Sequence, residues 1–127
     1  MKHATPVILA LVGLINAIPV TGALGADVLA SLYGLPVDEP NLLVLMRHRA
    51  VLLGLVGAYM IVAAFRPALR PSAFMLGFAS MLSFIALAYS VGGINAALQR
   101  VALIDVVACA LLAGATVLHL RTAKRAW

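Results

Sequence analysis

Apolar residues dominate this chain in four long runs, and short polar breaks separate them. The runs cover residues 6–26, 42–65, 71–90 and about 101–120. A bilayer core of about 30 Å requires roughly 20 apolar residues in a single helix. Each run has about that length, so the pattern predicts four transmembrane helices.

Residues that commonly end helices occupy the breaks between the runs. They are Gly34 and Pro36 after the first run, Arg66 and Pro67 after the second, and Gly92 and Gly93 after the third. Asparagine is a favoured residue at a helix N-cap. We therefore expect Asn41 to cap the second helix, and Asn95 to cap a fourth helix that begins before residue 101.

The longest segment outside the four runs lies between the first two of them. It contains three of the four acidic residues and a Pro-bounded loop, and its residues 27–33 predict a short amphipathic helix. All other connections are short, which leaves room for one domain. The predicted fold class is all-α: a single four-helix integral membrane bundle over residues 1–127, with short loops and one longer outer loop.

Composition supports a lipid environment. Hydrophobic residues make up 65% of the chain and charged residues 10%, whereas a soluble domain is about half apolar. The net charge of +5 would also suit nucleic-acid binding, but that function needs basic residues clustered on one solvated face. Here the bases lie mainly at the ends of apolar runs, as membrane topology requires, and we expect no nucleic-acid partner.

The distribution of bases predicts an orientation. Lys and Arg residues near span ends are enriched on the cytoplasmic side. With four spans, six of the nine bases and none of the four acids fall on the side of the termini: Lys2, Arg66, Arg70, Arg121, Lys124 and Arg125. Both termini are thus predicted to be cytoplasmic, with Trp127 as an interfacial anchor.

A cleavable signal peptide is an alternative interpretation of the N-terminus. Lys2, the apolar run and the small residues Ala23 and Gly25 fit that pattern. Three remaining spans would then place the termini of the mature chain on opposite sides of the membrane.

Metal and redox chemistry have little support in the sequence. The single cysteine, Cys109, has no partner for an internal disulfide, and His3, His48 and His119 lack the paired spacing of a helix-borne metal site. We expect neither a metal nor a cofactor.

The second run contains three consecutive polar residues, Arg47, His48 and Arg49. An unpaired arginine at the centre of a bilayer costs on the order of 3 kcal/mol, and less near a span end, where it can reach the headgroups. Helical spacing places Arg47 on a stripe of mostly small residues that a neighbouring helix could approach closely, and Arg49 about 200° away. We therefore expect Arg47 to face the interior and Arg49 to reach headgroups or a loop carboxylate.

Asp105 is the only acidic residue inside a predicted span. A nearby arginine stabilises a carboxylate in apolar surroundings, and a planar bidentate pair is the best geometry. The sequence leaves open whether Arg47 or Arg49 is the partner. It also leaves open whether the pair only fixes helix register or lines a polar cavity with His48 and Arg100 that opens to the outer face.

A second set of polar residues falls on the predicted inward faces of the other helices. They are Asn16, Ser80, Ser83, Cys109, Thr116 and His119. Hydrogen bonding between packed helices explains such residues well, so we treat them as a secondary polar stripe.

The run YGLPVDEPNLLVLMRHRAVLLG resembles the DoxX-like group of small bacterial inner-membrane proteins, through a Tyr-Gly loop followed by an Arg-His-Arg entry into the second helix. The resemblance covers about a third of the chain. It implies a four-helix membrane bundle in the bacterial cytoplasmic membrane and an association with respiratory quinol-oxidising complexes.

Three functions are compatible with these features. In the first, the Arg/His/Asp cluster binds an anionic or quinone-like small molecule or a lipid headgroup. In the second, the protein is a non-catalytic accessory subunit whose small-residue helix faces pack against a larger respiratory or transport complex. A homo-oligomer is a further possible assembly. The third, an enzyme with His48 and Asp105 as acid and base, is weaker because no nucleophile or cofactor is evident.

Overall fold

The computed structural model describes residues 3–125. The predictions for Lys2 and Trp127 lie outside the described residues. Within them the fold is all-α, as predicted. Five α-helices are present: α1 (Ala4–Ala17), α2 (Ala26–Tyr33), α3 (Pro40–Phe65), α4 (Arg70–Val91) and α5 (Ala96–Lys124).

Four of these elements form an antiparallel ring. Helix α1 packs against α3 and α5, and α4 packs against the same two helices from the other side. The chain runs up, down, up and down through α1, α3, α4 and α5. We call the end that holds α2 and the α4–α5 turn the α2 end, and the end that holds His3 and Arg125 the terminal end.

Four segments are long and apolar enough to cross a membrane: Ala4–Leu24, Pro40–Phe65, Pro67–Val91 and Ala96–Lys124. In the most apolar stretch of each, between 17% and 28% of the residues are buried inside the chain. Many of the other apolar side chains are exposed, and lipid would bury them. These features indicate a multi-pass membrane protein.

Two helix starts differ in how well the sequence predicted them. Helix α3 is capped by Glu39, whose carboxylate accepts hydrogen bonds from the backbone N–H groups of Asn41 (3.0 Å) and Leu42 (2.8 Å), so the prediction that Asn41 is the cap was wrong. Pro40 follows at the first helical position, where its missing N–H costs nothing. Asn95 does cap α5, accepting a hydrogen bond of 2.9 Å from the N–H of Leu98.

Helix α1 changes geometry near its end. The α-helix stops at Ala17, and a 3₁₀ helix over Ile18–Leu24 continues the span. Pro19 lies in this segment and cannot donate an α-helical hydrogen bond to the preceding turn. The first span therefore changes helix type around this proline.

Small residues bring α1 and α3 into close contact. A Cβ atom added at Gly57 would lie 2.7 Å from the Cβ of Ala17, and one at Gly13 would lie 2.8 Å from the carbonyl oxygen of Gly57. Gly54 meets Val20 in the same way. The small-residue stripe on α3 is thus used inside the chain, as the contact surface for the first span.

Helix α2 covers its end of the bundle. Gly34 ends it in the left-handed conformation (φ 65°), with its N–H bonded to the carbonyl of Ala30 at 2.8 Å. Leu29, Tyr33 and Val37 are buried and form a small core with residues at the beginnings of α3 and α5. The short helix predicted over residues 27–33 is therefore present and packed.

Candidate functional site: a polar cavity within the bundle

A cavity of about 560 Å³ lies in the half of the bundle nearer the α2 end. All five helices contribute to its walls, together with Ile18 and Pro19 of the 3₁₀ segment. Most of the lining side chains are apolar. Six are polar or carry a polar group: Asn16, Tyr33, Arg49, Ser80, Ser83 and Asp105.

Helical spacing explains why α3 and α4 line this cavity. Each contributes four residues at positions i, i+3, i+4 and i+7, which form one face of an α-helix. They are Arg49, Leu52, Leu53 and Val56 on α3, and Ser80, Ser83, Phe84 and Leu87 on α4. On α3 this stripe is apolar apart from Arg49, and on α4 it is half polar and half apolar.

Arg49 is held by two aromatic side chains. One of its terminal nitrogens donates a hydrogen bond of 2.7 Å to the hydroxyl of Tyr33. The guanidinium carbon lies 5.3 Å from the ring centroid of Tyr33 and 5.4 Å from that of Phe84. These distances are within the range of cation–π attraction, which contributes about 0.5–2 kcal/mol per ring depending on desolvation. The arrangement stabilises a cation inside a span and leaves further N–H donors for another partner.

Asp105 lines the same cavity from α5. Its half-buried carboxylate accepts no hydrogen bond from the described residues 3–125, and its oxygens are not sealed off from the cavity. The guanidinium of Arg49 lies within Coulombic range of it, without a direct ion pair between the two. The cavity therefore contains a separated positive and negative group.

The two groups lie at the same distance from the starts of their helices, both of which begin at the α2 end. Arg49 is nine residues beyond Pro40, the first residue of α3, and Asp105 is nine residues beyond Ala96, the first residue of α5. At 1.5 Å per residue, each is roughly 13 Å along its helix. Both groups thus lie well below the α2 end of their spans.

Three smaller polar side chains complete the wall. Asn16 is buried on α1 and donates a hydrogen bond of 3.1 Å to the carbonyl of Val12. The hydroxyl of Ser80 donates to the side-chain amide oxygen of Asn16 at 3.5 Å. The hydroxyl of Ser83 donates to the backbone carbonyl of Ser80 at 3.0 Å. Of these contacts, the one between Ser80 and Asn16 joins α4 to α1 across the bundle, and the other two each lie within a single helix.

The expected roles of the two arginines were wrong. Arg47 is exposed, and its Nε donates a hydrogen bond of 2.8 Å to the carbonyl of Ala23 at the end of the 3₁₀ segment. The stripe that follows Arg47 packs too closely against the first span to admit a guanidinium. Arg49 occupies the interior because its face of α3 borders the cavity.

Other predicted members of the cluster lie elsewhere. His48 and Arg100 are exposed and do not line the cavity. Of the secondary stripe, Cys109 packs beside the main core, Thr116 bonds to the carbonyl of Leu112 (2.8 Å), and the ring of His119 lies 5.6 Å from that of Phe74. The structure thus brings Arg49 and Asp105 together with Asn16, Ser80 and Ser83, and separates them from the rest.

Tyr33 is the site residue that the sequence interpretation missed. The sequence placed it at the end of a short amphipathic helix and in the Tyr-Gly loop of the family resemblance, but not in the polar cluster. The available signal was its position four residues after Leu29, on the apolar face of that helix. A buried tyrosine hydroxyl needs a hydrogen-bond partner, and a nearby intramembrane arginine is a suitable one.

Apolar side chains with substantial exposure surround the cavity. Leu52 on α3 is 48% exposed, Leu87 on α4 is 63% exposed and Ile104 on α5 is 49% exposed, although all three line its walls. They lie within the spanning segments, where the surrounding medium would be acyl chains. An apolar molecule could therefore enter from the bilayer.

The chemistry that the cavity offers is hydrogen bonding and stacking. Arg49 supplies donors, Asp105 supplies acceptors, and the serines and Tyr33 supply hydroxyl groups. Within residues 3–125, no three His, Cys, Asp or Glu side chains gather in a way that could hold a metal ion. The pattern is that of a binding site with an apolar body and a few oriented polar groups.

Comparison with known proteins gives no match: no protein-family model, curated protein or solved structure is similar to this chain.

Proposed function

We propose that this protein is a binding module of the bacterial cytoplasmic membrane that takes up an amphipathic small molecule in the cavity between its helices. The ligand would carry an anionic or quinone-like polar head, or be a lipid with a polar headgroup. Arg49 would hold an acceptor oxygen of the head, and the apolar walls would hold its body. The observation that carries this proposal is an arginine fixed between two aromatic rings at the wall of a largely apolar cavity.

The volume of the cavity supports a ligand of this kind. Small-molecule pockets are usually 300–1,000 Å³, with mainly apolar walls and a few convergent polar groups. A charged arginine inside a span is costly and is commonly associated with function. Tyr33 and Phe84 offset part of that cost without consuming all of the donors of Arg49.

Binding to the purified protein in lipid nanodiscs would test the proposal. The probes are a decyl-substituted 1,4-benzoquinone, decanoate and phosphatidylglycerol, each titrated against wild type, Arg49→Met and Arg47→Met. We expect at least one probe to bind wild type. Arg49→Met should weaken the binding of that probe by at least about tenfold, as for loss of a charged hydrogen bond. Arg47→Met should leave its affinity unchanged. Arg47 is the matched control because it lies on the same helix outside the cavity.

Two results would contradict the proposal: no binding of any probe to wild type, or equal losses in the two arginine variants. The accessory-subunit hypothesis has less support, because the glycines of the helix faces that would dock a partner already pack against other helices of the chain. Gly54 and Gly57 of α3 meet the first span, and Gly77 of α4 meets Met60 and Leu112.

A further inference from the structure

The two charged groups of the cavity restrict the ligand further than the proposed function does. Arg49 and Asp105 face the same space on different helices, one with free N–H donors and the other with free acceptor oxygens. A purely anionic head would meet Arg49 favourably but would bring a second negative charge towards Asp105. A molecule that only accepts hydrogen bonds would leave the Asp105 oxygens without a partner in a low-dielectric site, which is costly.

A ligand that satisfies both sides must accept a hydrogen bond at one point and donate one at another. Zwitterions and neutral hydroxyl compounds both meet this condition. The apolar lining favours the second class, because most side chains that surround Arg49 and Asp105 in the cavity are apolar. A zwitterionic headgroup would bring two formal charges into this space and lose their hydration there.

The surroundings of Arg49 indicate a ring. Two aromatic rings already lie within cation–π range of its guanidinium, and Leu52, Leu53 and Val56 continue the wall as an apolar surface. A flat ring bearing a hydroxyl could lie along this surface and reach both charged groups. The exposed apolar side chains around the cavity, such as Leu87, allow such a molecule to arrive from the membrane.

Resting on the proposed function, we infer that the occupant is an uncharged lipophilic ring compound with a free hydroxyl, which donates to Asp105 and accepts from Arg49. If the ligand is quinone-like, the hydroxyl-bearing quinol is the bound form in preference to the quinone. Asp105 is then the specificity-determining residue, and Arg49 supplies binding energy common to both forms.

The test compares two probes that differ in a single donor. 4-Nonylphenol and its methyl ether, 4-nonylanisole, have the same ring and tail, and only the phenol donates a hydrogen bond. Calorimetric titration of nanodisc-embedded protein should give at least tenfold tighter binding of the phenol to wild type. In Asp105→Leu the two affinities should become equal within about twofold. Asp105→Asn, which keeps an acceptor oxygen of the same shape, should show an intermediate preference and covers the case in which the leucine variant does not fold.

Equal binding of the two probes to wild type would overturn the inference, and so would a phenol preference that survives in Asp105→Leu or is unchanged in Asp105→Asn. Decanoate in the same titration separates the two proposals. If decanoate binds in an Arg49-dependent way and the phenol does not, the inference fails while the proposed function stands. If none of the phenol, the benzoquinone, decanoate and phosphatidylglycerol binds, both fail.

Discussion

Tyr33 and Arg49 are joined twice, by a hydrogen bond of 2.7 Å from the guanidinium to the hydroxyl and by a cation–π contact in which the guanidinium carbon lies 5.3 Å from the ring centroid. The contact links α2, which lies at the end of the bundle, to α3, which crosses it. It therefore serves both the cohesion of the α2 end and the orientation of the cation in the cavity.

Removing the hydroxyl of Tyr33 separates the contribution of the hydrogen bond from that of the aromatic ring. Tyr33→Phe keeps the ring and loses the hydrogen bond, so we expect the free energy of unfolding to fall by about 1.5–3 kcal/mol, the range for a bond to a charged group. Tyr33→Leu should lose more, because the cation–π contact disappears as well. Denaturant titration in detergent micelles measures both, with Tyr89→Phe as the control because Tyr89 is 78% exposed. Equal effects of Tyr33→Phe and Tyr89→Phe would contradict the role of the hydroxyl.

Substitution by alanine should have opposite effects on stability at two glycines, because Gly57 lies in the close contact between α1 and α3 and Gly114 lies in open space. Gly57→Ala places a methyl group 2.7 Å from Ala17, and overpacking of this kind should destabilise the protein by about 1–3 kcal/mol. Gly114→Ala on α5 meets nothing within 4 Å and should stabilise the helix by about 0.5–1 kcal/mol. Thermal unfolding of both variants in the same detergent is the measurement. A stable Gly57→Ala variant would mean that the two helices are not in close contact there.

The cap of α3 predicts a pH dependence. Hydrogen bonds from the backbone N–H groups of Asn41 and Leu42 hold the pKa of Glu39 below its ordinary value of 4.5. A lowered folded-state pKa contributes stability that is present above the ordinary pKa and is lost as the pH falls through the lowered value. The difference in melting temperature between wild type and Glu39→Ala should therefore be larger at pH 7 than at pH 3.

Asp38 provides the control for this measurement. It is the neighbouring exposed carboxylate and does not cap the helix, so Asp38→Ala should change the melting temperature little at either pH. A Glu39→Ala effect that is the same at both pH values would show that the charge of the cap is unimportant.

The proposed orientation predicts the accessibility of α2. In a Cys109→Ala background, Ser31→Cys on the exposed side of α2 should react in whole cells with a membrane-impermeant maleimide, whereas Ala123→Cys near the end of α5 should react only after lysis. The bases at the terminal end and the acids at the α2 end are the physical reason. The reverse pattern would place the cavity nearer the cytoplasmic side.

Much of the fold could be predicted because hydropathy and helix-ending residues act locally. The four spans, the short helix over residues 27–33 and the Asn95 cap each depend on a few neighbouring residues. The Glu39 cap was missed because Asn41, two residues later, is also a suitable helix cap. Pro40 indicates the actual start of α3, because proline is favoured at the first helical position, directly after the cap.

The site was harder to predict because it depends on which faces of the helices have room. Spacing placed Arg47 on the small-residue stripe, which suggested an interior position. The same stripe packs so closely against the first span that the interior cation is on another face, at Arg49. The partnership with Tyr33 depends on how α2 folds back over α3, and no spacing along the sequence encodes that distance.

The side-chain amide of Asn95 also donates a hydrogen bond of 2.7 Å to the backbone carbonyl of Tyr33, so one residue both starts α5 and fastens the end of α2. This has a consequence for biogenesis. Until α5 has been made and has joined the bundle, neither that fastening nor Asp105 is in place. Arg49 therefore lies beside an incomplete wall until α5, the last helix of the chain, completes the cavity.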